Sequence, residues 1–165
     1  RIAEHGLAVM SVREGLAFDS ELVSDVAPLT ELIARACGDG RDVKFMRDPT
    51  RSGLAGVLAD LVETTGLGIE VDEDAVPISP TARHAAELLG LDPLTVANEG
   101  KCVLVAAAGD ARQIVAACRQ HPLGSRAAVI GRVIDAAPPL VELITRAGGR
   151  RIVQRPYGQE LPRIC

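Results

Sequence analysis

The sequence predicts an α/β fold, more closely an α+β arrangement in which helices cover a mixed β-sheet. Short apolar runs typical of strands alternate with longer segments of helical spacing along most of the 165 residues, and this alternation indicates helices packed on a sheet. Hydrophobic residues make up 47% of the chain but aromatic residues only 2%, so we expect a core of Val, Ile, Leu and Ala. The length suits one domain.

The first elements follow from local apolar patterns. Residues 7–10 predict a strand. A helix is expected to begin at Ser24 or Asp25, either of which can act as an N-cap, and to end at Gly38. Its apolar residues recur at helical spacing: Leu29, Leu32, Ile33 and Ala36.

A strand, a helix and a second strand are expected next. Residues 43–46 predict a short strand that leads into the segment 47–54. The helix after it is expected to end at Gly66, and residues 67–71 alternate like a strand. The apolar face of this helix consists of Leu54, Val57, Leu58, Leu61 and Val62.

The centre of the chain begins with a well-marked helix start. Ser79 is a favoured N-cap residue and Pro80 suits the first helical position, so a helix is predicted from there to Leu89. The elements expected after it are a short helix at residues 92–96, a strand at 101–107 and a helix from Asp110 to about His121.

The last part of the chain predicts strands and a tail. Residues 129–134 indicate a strand, and residues 140–146 and 150–154 indicate a hairpin around Gly148. The segment after it contains Pro and Gly and shows no period. We therefore expect a domain of residues 1–154 and a flexible C-terminal tail of residues 155–165. Because the chain starts with Arg directly before a strand pattern, we also expect an N-terminal part to precede it.

Charge and composition argue against several classes of function. The formal net charge of −4 provides no basic surface for nucleic acid or anionic lipid. No apolar run approaches the ~20 residues that span a bilayer, and no signal-peptide pattern opens the chain. We expect no nucleic-acid or membrane partner and a cytoplasmic location. The histidines and cysteines lack the spacings of zinc ligands, so no metal site is expected.

The segment Asp48-Pro-Thr-Arg-Ser-Gly53 is the first candidate site, since it lies between a predicted strand and a predicted helix. Such a turn presents free N–H groups and the positive end of a helix dipole, which suit a phosphate. Arg47 and Arg51 can add guanidinium donors. In the structural alternative, Asp48 only caps the helix and the arginines are solvated. The candidate phosphate-proximal residues are Asp48, Thr50, Arg51, Ser52 and Gly53.

The turn Ala97-Asn-Glu-Gly100 contains the second candidate. A carboxylate in a tight turn between apolar segments can become partly buried, and partial burial makes it a stronger base. Glu99 is therefore a candidate proton acceptor. The alternative is an ordinary exposed glutamate in a turn.

The C-terminal residue, Cys165, is the third candidate. A cysteine at the end of a tail that contains Pro and Gly can carry a nucleophilic sulfur as a tethered arm. The nearby Arg163 favours the thiolate, whereas the terminal carboxylate opposes it. The alternative is a chance cysteine without a function. The other cysteines are interpreted as small buried hydrophobes: Cys37, Cys102 and Cys118.

Four segments together resemble the HypE family of hydrogenase maturation proteins, within the wider AIR-synthase-related superfamily. Residues 46–55, Met-Arg-Asp-Pro-Thr-Arg-Ser-Gly-Leu-Ala, resemble the family signature M-R-D-P-T-R-G-G-L-A, and residues 5–15 resemble the segment that joins the family's two domains. Residues 97–100 match its A-[SN]-E-G turn, and residues 162–165 match its terminal P-R-I-C. Ser52 departs from the pattern, which usually has Gly there.

The resemblance implies the C-terminal-domain fold of the AIR-synthase (PurM-like) superfamily and a role in making the cyanide ligand of [NiFe]-hydrogenases. In this family HypF carbamoylates the C-terminal cysteine, here Cys165. ATP-dependent dehydration then converts the S-carboxamide into a thiocyanate, with Glu99 in a catalytic role. The cyano group finally passes to iron on the HypC–HypD complex. The implied tail motif consists of Pro162, Arg163 and Ile164.

The resemblance also implies an N-terminal ATP-binding domain that supplies most of the ATP and Mg²⁺ ligands and is not part of this chain. The chain alone is therefore expected to be inactive, and the full-length protein is expected to be a homodimer. Two alternatives remain open at this point. One is another AIR-synthase-related, ATP-dependent synthetase, which would not need the terminal P-R-I-C. The other is a non-catalytic domain that docks a maturation partner.

Overall fold

The computed structural model describes residues 1–13, 15 and 22–156, and helices alternate with strands over most of that part of the chain. The helices are α1 (Glu4–Arg13), α2 (Thr30–Cys37), α3 (Gly53–Thr65), α4 (Pro80–Leu88) and α5 (Ala111–Arg119), and a 3-10 turn spans Pro122–Gly124. The strands are β1 (Val43–Arg47), β2 (Gly68–Asp72), β3 (Val103–Ala106), β4 (Gly131–Ile134), β5 (Val141–Ile144) and β6 (Arg150–Ile152).

These strands form two separate sheets. The larger sheet has the order β4-β2-β5-β6; β2 and β5 are parallel, and both outer strands run antiparallel to their neighbours. The smaller sheet is an antiparallel ribbon of β1 and β3. The predicted class, a mixed sheet covered by helices, is confirmed. The separation of β1 and β3 from the larger sheet is a feature that the sequence pattern does not predict.

The main core lies between the larger sheet and α3. Ile69 and Val71 of β2 and Val141 and Leu143 of β5 are buried and alternate with polar or partly buried residues. Full burial of such a side chain contributes about 1.5–3 kcal/mol, so this core holds α3, and with it the segment before α3, firmly on the sheet. The buried residues that α3 contributes are Leu54, Ala55, Leu58, Leu61 and Val62.

The opposite face of the larger sheet carries a network of charged side chains centred on Glu70. Glu70 is only 7% exposed. Its carboxylate accepts hydrogen bonds from Nη1 of Arg150 in β6 at 2.8 Å and from Nε of Arg132 in β4 at 2.7 Å. Arg150 also pairs with Glu142 of β5 at 2.9 Å. The hydrogen bond from Arg150, followed by that from Arg132, holds the pKa of Glu70 below its ordinary value.

Protonation of Glu70 is expected to destabilise the fold at acid pH. A carboxyl group with a lowered pKa in the folded state stabilises the fold above its ordinary pKa of 4.5, and this stabilisation disappears as the pH falls through the folded-state pKa. We therefore expect Glu70→Gln to lower Tm by several degrees at neutral pH and by much less well below pH 4.5. Thermal unfolding followed by circular dichroism checks this. An equal loss at both pH values would contradict the ionic role of Glu70.

Several predicted boundaries are confirmed to within one or two residues, because local caps define them. The hydroxyl of Ser79 caps α4 by accepting a hydrogen bond from the Ala82 amide at 3.1 Å. α3 ends at Thr65, and its C-cap is the predicted Gly66, whose φ of +68° lies in the left-handed region that glycine adopts freely. The predicted hairpin is formed by β5 and β6, and the Thr145 amide donates to the Gly149 carbonyl across its turn at 2.9 Å.

Two predicted elements are wrong. Residues 7–10 form part of α1, which packs on α4, and not a strand. Leu7 and Met10 are both buried and lie three residues apart, but the apolar run is too short for its period to distinguish a helix from a strand. Residues 92–96 form a turn and not a helix; the Asp92 carboxylate accepts a hydrogen bond from the Leu94 amide at 2.9 Å.

Two predicted helix starts also differ from the structure. α2 begins at Thr30 and not near Ser24 or Asp25, because those side chains have partners elsewhere. The Ser24 hydroxyl lies 2.7 Å from Nδ1 of His5, and Asp25 forms an ion pair with Lys101. Asp110 precedes α5 as predicted. Its carboxylate, however, accepts a hydrogen bond from the Asp42 amide at 2.9 Å and does not cap the helix. Tertiary contacts have replaced the local caps in both places.

Candidate functional site

Residues 48–53 connect β1 to α3, as the sequence predicts. Asp48 is exposed, and its carboxylate accepts a hydrogen bond from the Thr50 hydroxyl at 2.6 Å. This hydrogen bond is the main reason why the pKa of Asp48 lies below its ordinary value. Asp48 is therefore ionised at neutral pH and accessible to a cation. It is not the helix cap, because the residue at the N-cap position of α3 is Ser52.

The N-terminus of α3 is closely covered by residues 94–96. The amide of Ala55, in the first turn, donates to the Leu94 carbonyl at 2.9 Å. Gly53 has a φ of +59°, and a β-carbon at this position would lie 2.5 Å from the carbonyl oxygens of both Leu94 and Val96. Only glycine fits there. Protein carbonyl groups thus occupy part of the helix end that the sequence suggests is open to a phosphate.

The conformation of Ser52 explains why glycine suits this position. Its φ is +58°, which is in the left-handed region that costs energy for residues with a β-carbon. A β-carbon on Gly56, one turn later, would lie 2.6 Å from Cβ of Ser52. Gly56 therefore provides the space that the serine side chain needs. The Ser52 side chain forms no capping hydrogen bond in return.

The two candidate motifs lie side by side, and Asn98 connects them. Its side chain is fully buried, and its Nδ2 donates to the carbonyl oxygens of Pro49 at 3.2 Å and Val96 at 2.8 Å. Its backbone amide donates to the same Pro49 carbonyl at 3.1 Å, and its Oδ1 accepts from the Ala3 amide at 2.7 Å. Sequence reasoning misses Asn98 as a functional residue. The turn motif contains it, but these long-range partners become apparent only in the folded chain.

Glu99 follows Asn98 and is partly buried. Its carboxylate forms no hydrogen bond or ion pair within the part of the chain that the structure describes. Its backbone carbonyl, in contrast, accepts a hydrogen bond from Nζ of Lys101 at 2.9 Å, and Lys101 also pairs with Asp25. The side chain of Lys101 is only 10% exposed. The turn is therefore held in place by its backbone, while the Glu99 carboxylate is left available to act as a base.

The two arginines that the sequence offers as anion donors have different surroundings. Arg47 is held by Asp60 of α3, with 2.5 Å between Nη1 and Oδ2. Arg51 is exposed, and its guanidinium has no ion-pair partner among the described residues. Arg51 is therefore the arginine that can bind an anion without first losing an internal contact.

The third candidate falls outside the described residues, and so does its motif: Pro162, Arg163, Ile164 and Cys165. The described part of the predicted tail is its first two residues. Of these, Arg155 forms ion pairs with Asp60 and with Glu63, the latter at 3.2 Å. The start of the tail is thus held on α3.

The other thiols differ in exposure. Cys118 is buried as predicted, Cys102 is half-buried, and Cys37 is exposed, so the prediction of burial is wrong for Cys37. Burial raises the pKa of Cys102 to about 11 and also raises the pKa of Cys118. Both thiols are therefore protonated at neutral pH and are poor nucleophiles.

Metal ligands and membrane-spanning helices were sought in residues 1–13, 15 and 22–156. No three side chains of His, Cys, Asp or Glu come together there in a way that could hold a metal ion. None of the helices in these ranges has the length and apolar character needed to cross a membrane.

The candidate site thus consists of a strand-turn-helix segment held against a second turn, on a mixed sheet covered by helices. The chain matches the family described as AIR synthase related protein, C-terminal domain, over residues 2–140. The chain therefore belongs to the AIR-synthase-related family, as a C-terminal domain.

Comparison with curated proteins identifies a more specific group of relatives within this family. The chain is 48% identical over 164 residues to carbamoyl dehydratase HypE of Cupriavidus necator, which covers 99% of this chain and 47% of the relative. It is 47% identical over 165 residues to carbamoyl dehydratase HypE of Bradyrhizobium diazoefficiens, and this match covers 99% of this chain and 48% of the relative. The chain spans about half the length of the curated relatives it matches. The resemblance to HypE that the motifs indicate is confirmed.

Solved HypE structures share the fold. Escherichia coli HypE superposes with a TM-score of 0.91 at 42% identity, covering 99% of this chain and 50% of that chain. A HypE in complex with ATP gives a TM-score of 0.92 at 35% identity, covering 99% of this chain and 50% of that chain. HypE in a HypE–HypF complex gives a TM-score of 0.89 at 42% identity, covering 94% of this chain and 50% of that chain. The predicted fold of an AIR-synthase C-terminal domain is confirmed.

Proposed function

We propose that the chain is the C-terminal domain of an ATP-dependent carbamoyl dehydratase that serves [NiFe]-hydrogenase maturation. One observation carries the proposal: Asn98 joins the 48–53 motif to the Glu99 turn, in a chain 48% identical to a curated carbamoyl dehydratase HypE. On this proposal the full-length protein carries its substrate on its own Cys165. Residues 155–165 then act as an arm of the domain formed by residues 1–154, held on α3 where it begins, at Arg155, and the reaction takes place in the cytoplasm.

The proposed reaction converts an S-carboxamide on Cys165, S–C(=O)–NH₂, into a thiocyanate, S–C≡N. The carboxamide oxygen takes the γ-phosphoryl group of ATP, which turns it into a far better leaving group than hydroxide. Removal of both N–H protons supplies the electron pairs for the triple bond, while the C–O bond breaks and phosphate leaves with its electron pair. The products are the thiocyanate, ADP and phosphate. Nothing is oxidised or reduced, so no redox partner is needed.

Each candidate residue has a role in this reaction. Glu99 accepts a proton from the carboxamide nitrogen, since its carboxylate is partly buried and is not engaged by another described side chain. Arg51 contacts a phosphate, because its guanidinium is exposed and available. Asn98 holds the two motifs together. The remaining residues of the first motif shape the turn beside the phosphate: Asp48, Thr50, Ser52 and Gly53.

The described residues fit one edge of a nucleotide site. Arg51 suits a phosphate and the ionised Asp48 suits a Mg²⁺ ion, but the described ranges hold no set of three metal ligands. When bound, ATP supplies the phosphoryl group and Mg²⁺ neutralises charge on the phosphates. We assign most ATP and Mg²⁺ ligands to the half of the HypE relatives that this chain does not span. The chain alone is accordingly expected to be inactive.

The proposed partners follow from the same family. HypF is the proposed carbamoyl donor, and the HypE of a solved HypE–HypF complex is similar to this chain. The HypC–HypD complex is the proposed acceptor of the cyano group. We propose a homodimer for the full-length protein.

Intact-mass spectrometry of the full-length protein tests this function. Incubation with HypF, carbamoyl phosphate and ATP is expected to add one carbamoyl group and then to remove one water. Purified carbamoylated protein should keep its carboxamide when ATP is replaced by a non-hydrolysable analogue. The control is a HypF preparation that modifies E. coli HypE. If such a preparation binds the protein without changing its mass, the docking alternative is supported and the proposal is contradicted.

Glu99→Gln tests the proposed base. Gln keeps the size and most of the hydrogen bonding but cannot accept the proton, so the carboxamide should accumulate and its dehydration should slow by about 10²-fold or more. The matched control is Glu87→Gln, which changes an exposed glutamate on α4. The rate of water loss is followed by mass spectrometry. Thiocyanate formation at the wild-type rate would exclude Glu99 from proton transfer.

A further inference from the structure

Asp60 of α3 receives two arginines from distant parts of the chain. Arg47, the last residue of β1, donates from Nη1 to Oδ2 at 2.5 Å, and Arg155 donates from Nη2 to Oδ1. Arg155 also reaches Glu63, nearly one turn further along α3, at 3.2 Å. A single carboxylate thus joins the residue before the 48–53 motif to the last described residues of the chain.

The backbone path shows what this contact does. The amide of Val153 donates to the Val141 carbonyl at 2.8 Å, which keeps the chain on the larger sheet just after β6. Of the described residues that follow, only Arg155 forms a hydrogen bond or ion pair, and both of its partners belong to α3. Arg155 therefore directs the chain from the sheet onto α3.

The contact between Asp60 and Arg155 lies close to the candidate site. Asp60 is seven residues after Gly53, which corresponds to about 10 Å along a helix axis. The ten residues from Arg155 to Cys165 can span at most about 33–36 Å. The segment is therefore long enough for Cys165 to reach the N-terminal end of α3 from Asp60. The contact between Arg155 and Asp60 therefore fixes the position at which the segment that carries Cys165 begins.

The contact is suited to local positioning more than to global stability. Exposed ion pairs contribute little to the stability of a whole domain, and Asp60 is 26% exposed while each arginine is 48% exposed. The local consequence is larger, because Asp60 separates two positive guanidinium groups. Neutralising Asp60 removes the attraction and leaves Arg47 and Arg155 to repel each other, with only Glu63 to retain Arg155.

We propose that Asp60 is a positioning residue that anchors the start of the C-terminal segment beside the 48–53 motif. Its functional consequence rests on the proposed function, in which the carbamoylated Cys165 must come to a site in its own protein. An anchored tether raises the effective concentration of its end at a nearby site. Attack on a separate protein such as HypF does not gain from this anchor. Dehydration and carbamoylation should therefore respond differently when Asp60 is changed.

Hydrogen exchange in the full-length protein tests the anchor itself. Asp60→Asn is expected to speed exchange of the Val153 amide about fivefold at low salt, and high salt should reduce the difference by screening the pairs in the wild type. Asp60→Glu keeps the charge and should restore slow exchange. The matched control is Asp74→Asn, which removes an exposed pair with Arg146 (2.7 Å) in another loop. An unchanged exchange rate of the Val153 amide in Asp60→Asn would show that Asp60 does not anchor this segment.

The rates of the two modification steps test the positioning role. In Asp60→Asn we expect dehydration to slow about fivefold and carbamoylation by HypF to keep its wild-type rate, and Asp60→Glu should restore dehydration. If amide exchange becomes faster but the dehydration rate is unchanged, Asp60 has no positioning role. Equal slowing of dehydration and carbamoylation would also contradict that role. If the wild-type protein itself never loses water, the proposed function fails, while the exchange measurement still decides whether Asp60 is an anchor.

Discussion

Cys165→Ala is expected to abolish carbamoylation of the full-length protein and to leave its Tm nearly unchanged. The acceptor must be a nucleophilic thiol that can reach a separate donor protein, and Cys165 is the residue proposed for that role. Cys102 and Cys118 cannot replace it, because burial raises the pKa of both thiols and keeps them protonated. Val153, the last residue of the described core, precedes Cys165 by twelve residues. An unchanged Tm is expected because the proposed function assigns Cys165 to an arm and not to the core. Intact mass and thermal unfolding provide the two measurements.

Cys37→Ala is the matched control for this prediction. Cys37 is an exposed thiol at the end of α2, and its removal should leave the gain of one carbamoyl group unaffected. Carbamoylation of Cys165→Ala at the wild-type level would remove the central support for the proposed function. Cys37 would then be the next thiol to test, since it is the exposed one among the three described cysteines.

Gly53→Ala is expected to destabilise the fold by about 3–5 kcal/mol, because an overpacking cost adds to the cost of a left-handed alanine. Its β-carbon would lie 2.5 Å from two carbonyl oxygens, those of Leu94 and Val96, and both belong to backbone that cannot turn away as a side chain can. The φ of +59° adds strain for any residue with a β-carbon. Urea unfolding followed by circular dichroism measures the free energy of unfolding.

The same helix supplies the control. Gly66, at the other end of α3, has a similar φ of +68°, but a β-carbon there meets nothing within 4 Å. Gly66→Ala should therefore cost only about 1–2 kcal/mol, the price of the left-handed backbone alone. The difference between the two variants isolates the close approach of residues 94–96 to the helix start. Equal losses of stability would show that this approach does not constrain residue 53.

The accuracy of the sequence predictions follows the range of the interactions that determine each element. α3, α4 and the β5–β6 hairpin are bounded by caps and turns within a few residues, such as Ser79 and Gly66, and these predictions are confirmed. The predictions for α1 and for residues 92–96 are wrong. At residues 92–96 the hydrogen bond from the Leu94 amide to the Asp92 carboxylate favours a turn over the predicted helix. A short apolar run is compatible with a helix or a strand, and only packing against α4 decides that residues 7–10 are helical.

Residue types and their spacing are enough to predict the fold class, the family and the chemical character of the two motifs. How the motifs meet depends on tertiary contacts. Asn98 contacts Pro49 across 49 residues and Ala3 across 95, and no local pattern encodes such pairs. The structure likewise decided that Arg47 is engaged by Asp60 while Arg51 remains available. Hydrogen bonds and ion pairs between distant residues form only after the hydrophobic core has brought their segments together.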